Sequence, residues 1–94
     1  MSKFEHGKVV VSDRIKQRLT QSDSNHMSVF IITSIGRFVN ADWGNVGRLT
    51  ERLNNEALAT GGRVIGLYES SNYGDIIIYT NEKRTSTTIE FLDE

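Results

Sequence analysis

Asp75-Ile76-Ile77-Ile78-Tyr79-Thr80 decides how this chain is read. Three consecutive isoleucines followed by tyrosine and threonine are β-branched and aromatic residues, the types that fit a pleated surface. Turn formers bound the run on both sides, with Ser70-Ser71-Asn72-Tyr73-Gly74 before it and Asn81-Glu82-Lys83 after it. Beyond those turns lie two further strand-like stretches, Val64 to Glu69 and Thr85 to Leu92. Three strands joined by short loops predict an antiparallel meander. Ile65 and Leu67 share one parity, as do Ile77 with Tyr79 and Ile89 with Phe91, and these six are the expected sheet contribution to the core. Ile76 and Ile78 then face the other way, beside Val64, Gly66 and Tyr68. An apolar second face on so small a protein calls for a cover, either the first helix or a second subunit.

Upstream of the meander the period changes. Val46, Leu49, Leu53 and Ala57 predict a helix over roughly 47–59 that ends at Thr60-Gly61-Gly62, because glycine readily takes the left-handed conformation at a helix C-terminus. The stretch His26 to Val39 is rich in β-branched residues. Met27, Phe30, Ile31, Ser34, Ile35 and Phe38 nevertheless form a helical stripe, and the length favours helix over strand. Gln21 to Asn25 reads as a loop. Ser12 and Asp13 open a short helix over 13–20, with Ile15 and Leu19 on one face. Gly7 leads the β-branched run Lys8-Val9-Val10-Val11, an N-terminal strand. The expected fold is α+β: an N-terminal strand, three helices, then a three-stranded antiparallel meander, with the helices packed on one sheet face.

Ninety-four residues make one domain, residues 1–94, with a single modest core. At this size roughly 60–65 % of the unfolded chain's surface is buried, so dimerisation would add stability. Cysteine is absent, which excludes disulfides, thiolate catalysis and cysteine-based zinc sites. No apolar run approaches the ~20 residues that cross a bilayer, and nothing resembles a signal peptide, so the cytoplasm is the expected location. The net charge is −1. Residues 1–52 carry a small basic excess and residues 53–94 a small acidic one, both too weak for a DNA-binding arm or a phosphate-backbone mimic. Proline is absent, so turns rely on Gly, Asn, Asp and Ser.

Catalytic constellations are missing. His6 and His26 lack acidic or histidine neighbours at ligand spacing, and there is no nucleophile elbow, Walker loop or HExxH. Hydroxyl side chains are abundant, but none has a base nearby to activate it. No cofactor and no metal is expected, and the chain reads as a non-enzyme.

The remaining candidates are recognition residues. Trp43, in the loop Asp42-Trp43-Gly44, is either a hot-spot residue at a binding surface or an anchor pinning its loop to the core. Asn55 either cross-links a neighbouring segment or contacts a ligand. Gly61-Gly62-Arg63 follows a helix, whereas phosphate-binding loops precede one. Arg63 and Arg84 each open a strand; brought together they would hold a phosphate or carboxylate, and kept apart they would form surface ion pairs. Arg84-Thr85-Ser86-Thr87-Thr88 places four hydroxyls in a row behind an arginine, the chemistry of a recognition strand or of cross-strand bonding.

Asp42-Trp43-Gly44, Asn55, Ala57-Leu58, Gly62-Arg63, Tyr68 and Arg84-Thr85-Ser86-Thr87-Thr88-Ile89 together resemble a pattern in small proteins of plasmids, phages and genomic islands, often labelled plasmid-related. That pattern runs D-W-G, N-x-x-A-L, G-x-R and a strand containing R-S-x-T-T. The resemblance spans Gly7 to about Leu92. It departs at Lys83, where aspartate is usual, and at the C-terminus, where Phe91-Leu92-Asp93-Glu94 replaces L-P-E-D-Y. What the resemblance implies is residence on a mobile element.

The expected function is a non-enzymatic binding protein of phage or mobile-element origin that inhibits a host defence component, such as a CRISPR effector, by protein–protein contact in the host cytoplasm. The alternative is a small-molecule binder that sequesters a nucleotide-like signal, and a small enzyme with an unrecognised site comes third. The candidate binding residues are Asp42, Trp43, Asn55, Arg63, Tyr68, Arg84, Thr85, Thr87 and Thr88. A host protein complex is the expected partner and a homodimer a second; direct nucleic-acid binding and membrane association are not expected.

Overall fold

A computed structural model describes residues 4–21 and 24–94. In chain order the elements are β1 (Lys8–Val11), α1 (Asp13–Leu19), α2 (Ser24–Val39), α3 (Arg48–Thr60), β2 (Ile65–Tyr68), β3 (Ile76–Thr80) and β4 (Ser86–Phe91). The α+β order read from the sequence is the observed one. Of the expected loop Gln21 to Asn25, Ser22 and Asp23 lie outside the described residues, while Ser24 and Asn25 open α2. Ser12 caps α1, its hydroxyl accepting from the Ile15 N–H at 3.3 Å. Gly61 closes α3 at φ +93°, its N–H donating to the Ala57 carbonyl at 2.8 Å, as the glycine pair predicted.

β2, β3 and β4 form the expected antiparallel meander, but the sheet as a whole is mixed. β1 joins it in parallel beside β4, giving the order β1-β4-β3-β2. Two sequence expectations change. The buried face of β2 and β3 carries Gly66, Tyr68, Ile76, Ile78 and Thr80, so the parity expected for Ile65, Leu67, Ile77 and Tyr79 is reversed, whereas Ile89 and Phe91 are buried as expected. The reason is register. Ile78 lies opposite Ile89 and Ile76 opposite Phe91, because the Asn81–Thr85 connection pairs even-numbered β3 residues with odd-numbered β4 residues.

The second change concerns α3. Leu49 and Leu53 are 63 % and 52 % exposed, and the face turned inward carries Asn54 and Ala57. An amide decides this. Asn54 Nδ2 donates to the Ile65 carbonyl at 2.8 Å and its Oδ1 accepts from the Ile65 N–H at 3.1 Å, so α3 is docked through its asparagine on the edge of β2.

The core is one cluster. Ile15 of α1, Met27, Ile31 and Phe38 of α2 and Ala57 of α3 meet Tyr68, Ile76, Ile78, Ile89 and Phe91 of the sheet. The stripe predicted for α2 is the one that packs, with Met27, Ile31, Ser34 and Phe38 buried and Phe30 and Ile35 partly so. Phe4, Phe38 and Trp43 close one end through ring contacts of 5.5–5.8 Å. Among the described residues no helix covers the opposite face, since the buried apolar side chains of α1, α2 and α3 belong to this cluster. Among the described residues no helix is long and apolar enough to cross a membrane.

Candidate functional site

The D-W-G stretch is a joint. Trp43 is 4 % exposed, and its indole N–H donates to Asn55 Oδ1 at 3.0 Å, so the anchoring role of Trp43 and the cross-linking role of Asn55 are halves of one contact. The backbone of 43–45 runs beside β2: Leu67 N donates to Trp43 O at 3.0 Å and Asn45 N to Leu67 O at 2.7 Å. Gly44, at φ +72°, is required there, because a Cβ would overlap the Leu67 carbonyl and the Tyr68 ring. Asp42 accepts from Arg37 Nε at 2.9 Å and from the Gly44 N–H at 3.1 Å. Those bonds, Arg37's first, hold its carboxyl below the ordinary aspartate value. Tyr68 is buried and donates its hydroxyl to the Asp42 carbonyl at 2.7 Å. Burial first, and the nearby Asp42 charge second, push that hydroxyl's pKa up.

Arg84 is also turned inward. Its Nε donates to the Gly62 carbonyl at 2.8 Å, its Nη2 to the Ala57 carbonyl, and its guanidinium lies over the Phe4 ring at 5.6 Å. It therefore sits at the C-terminal end of α3, where the helix dipole favours a cation, and gives the Ala57 carbonyl a second donor beside the Gly61 N–H. Its own φ of +55° places it in the left-handed region at the end of the β3–β4 turn. Arg63 goes the other way, its guanidinium 4.9 Å from the Tyr79 ring centroid. The two arginines are not brought together.

The hydroxyl run divides. Thr85 sits in the turn, its N–H and hydroxyl both bonded by the Asn81 amide. Thr87 is buried and donates to the His6 carbonyl at 2.6 Å, tying the segment before β1 to β4. Its cross-strand partner Thr80 is likewise buried, and the Thr80 hydroxyl accepts from the Val64 N–H at 3.1 Å. Thr88 faces the other side, opposite Tyr79. Of the nine candidate residues, Arg63 and Thr88 share the uncovered face. The other seven hold the fold together or sit at its turns.

That uncovered face is the surface the sequence reading missed as a site. Register places Ile65 opposite Tyr79 and Leu67 opposite Ile77, with Glu90 opposite Ile77 and Thr88 opposite Tyr79. The four large side chains are half-buried against one another and lie outside the core cluster. Arg63 flanks the block on one side and Glu90 on the other. Burial, and next the Glu90 carboxylate, hold the Tyr79 hydroxyl above its ordinary value. A signal for this surface existed in the sequence, since isoleucines at both parities of β3 cannot all enter one core.

Among the described residues no cluster of acidic or histidine side chains has the make-up of a metal site. Among the described residues, one open hollow of about 310 Å³ lies between Arg14, Arg18, Tyr73 and Phe91, and another of about 300 Å³ lies beside Phe4, Gly62 and the candidate Arg84. Compared with protein-family models, curated proteins and solved structures, the chain shows no match. The geometry of the sheet therefore carries the functional reading.

Proposed function

We propose that this chain is a non-enzymatic binding protein that acts by protein–protein contact through the open face of its sheet. The observation that carries the reading is the apolar block of Ile65, Leu67, Ile77 and Tyr79, which no helix covers among the described residues. Fully burying an exposed side chain of this size is worth about 1.5–3 kcal/mol, and because each of the four is already partly buried, a partner that closes over the block gains from each the remaining fraction of that figure. Arg63 and Glu90 at the rim set orientation, meeting an acidic and a basic group on the partner.

The resemblance to plasmid-related proteins directs the choice of partner. The reading it supports is inhibition of a host defence component, such as a CRISPR effector, in the cytoplasm of the host. The nucleotide-sequestering alternative needs Trp43, Tyr68, Arg84 and Thr87 around an accessible pocket. Their polar groups are instead occupied by Asn55, Asp42, Ala57 with Gly62, and His6, so the geometry favours the protein-contact reading.

The test uses purified CRISPR effector complexes. Co-elution with one of them and loss of its target binding are expected, and Leu67→Glu and Ile77→Glu should each abolish both while leaving the melting temperature near that of the parent. Inhibition that survives both substitutions removes the open face as the contact surface. A panel of effectors that neither binds nor responds removes the defence assignment, and a melting shift with free nucleotides would restore the alternative.

A further inference from the structure

The two edges of the sheet are finished differently. On the outer edge of β2 every outward backbone group has a partner. Ile65 exchanges two bonds with the Asn54 amide, and Leu67 bonds to the backbone of Trp43 and Asn45. The β1 edge has no such cover. Lys8 N donates to Thr85 O at 3.0 Å and Ser12 N to Ile89 O at 2.9 Å, so alternate residues 8, 10 and 12 face β4. The N–H and C=O groups of Val9 and Val11 consequently point away from the sheet, and they have no hydrogen-bond partner among the described residues. Val9 and Val10 are 37 % and 40 % exposed, high for β-branched side chains in a strand.

We infer that β1 pairs antiparallel with β1 of a second copy of this chain, joining two four-stranded sheets into one of eight strands. The register follows from which groups are free. A two-fold axis through Val10, perpendicular to the sheet, sets Val9 opposite Val11 of the copy, and each such pair exchanges both of its N–H···O=C bonds. Four hydrogen bonds form, and they use all the outward donors and acceptors of Val9 and Val11. Val10 meets its own equivalent in the close, non-hydrogen-bonded position, so two exposed valines cover one another.

Charge selects a copy over an unrelated strand. Lys8 begins the strand, and Asp13, the first residue of α1, is separated from its end by Ser12 alone; both are exposed. Antiparallel pairing about Val10 places Lys8 opposite Ser12 of the copy and next to its Asp13, twice over by symmetry. A lysine is a common guard against edge pairing; here the one register that satisfies the backbone also gives that lysine an acidic neighbour. Because the axis is perpendicular to the sheet, both helical layers lie on one side and both open faces on the other. The two copies of the apolar block would lie on the same side, separated by β4 and β1 of both chains, and the pairing does not depend on the reading of that block as a contact surface.

The experiment measures molar mass by light scattering on the eluting protein, with Val10→Glu, Val10→Lys and their equimolar mixture beside the parent. The parent should elute at twice the 10.6 kDa chain mass. Each variant alone should elute at the single-chain mass, because two like charges meet at the axis, and the mixture should recover the double mass as a heterodimer. Circular dichroism checks that both variants keep their fold. For the parent, exchange of the Val9 and Val11 amides should slow as concentration rises, while the Val10 amide, bonded to β4, stays protected throughout. A parent of single-chain mass at every concentration overturns the inference. So does a dimer that survives Val10→Glu, or one that Ile77→Glu breaks and Val10→Glu does not. A parent monomer whose β1 captures an extended peptide of another sequence overturns the choice of occupant.

Discussion

Ile77 and Ile78 are neighbours on one strand with the same side chain, yet Ile78 is fully buried beneath the helices and Ile77 stands half-exposed on the open face. Thr87 and Thr88 repeat the contrast one strand away. Thr87 is buried with its hydroxyl spent on the His6 carbonyl, while Thr88 lies across from Tyr79 on the open side. Identical chemistry on adjacent residues thus supplies core on one face and contact surface on the other. Composition says nothing about which is which; a position's parity relative to the helices does.

The largest effect expected from this contrast comes from truncating the two isoleucines. Ile78→Ala opens a cavity in the core and should cost about 2–5 kcal/mol in urea unfolding, whereas Ile77→Ala should cost under about 1 kcal/mol. Equal losses would mean that the open face is packed within the single chain. A middle-sized effect separates the two asparagines of α3. Asn54→Ala leaves the N–H and C=O of Ile65 unpaired and should cost about 1–3 kcal/mol. Asn55→Ala frees only the Trp43 indole N–H beside an exposed position and should cost about 1 kcal/mol or less. The reverse order in unfolding experiments would show that α3 is held through Trp43 rather than through the β2 edge.

The smallest effect is electrostatic. Asp42 has a lowered folded pKa, so its contribution is present above the unfolded value near pH 4 and is lost as pH falls through the folded value. The Arg37–Asp42 pair is about half-exposed and screened by solvent, which limits the contribution to about 0.5 kcal/mol. The melting temperature of Asp42→Asn should therefore lie slightly below the parent's at pH 7 and converge with it as pH falls through the folded value. A gap that widens on acidification would contradict this assignment.

How much of this was legible beforehand varies with the kind of signal. The α2 stripe at Met27, Ile31, Ser34 and Phe38 was readable despite its β-branched residues, because the stretch from His26 to Val39 is longer than a typical strand and its apolar residues repeat at helical spacing. The glycine stop of α3 was readable for its conformational reason. Leu49 and Leu53 misled, since apolar spacing on a helix says nothing about an asparagine that docks on backbone. At that spacing the N-x-x-A-L element begins at Asn54, one residue before the asparagine singled out from sequence, and Asn54 is the one whose amide grips β2. Arg84 and the hydroxyl run looked like a recognition strand. The partners of Arg84 and Thr87, namely the Ala57, Gly62 and His6 carbonyls, lie from 22 to 81 residues away in sequence, beyond any local pattern.

Local sequence determined the elements of this protein: the strands, the helices, their approximate ends and the antiparallel order of the last three strands. Those properties depend on nearest neighbours, through periodicity, turn residues and caps. Tertiary structure alone decided that β1 enters beside β4 in parallel, that Ile76 and Ile78 go inward, and that the inner edge residues of α3 are Asn54 and Ala57. Each depends on register and docking between segments far apart in the chain, and a strand that is apolar at both parities leaves either choice open until the helices take one face.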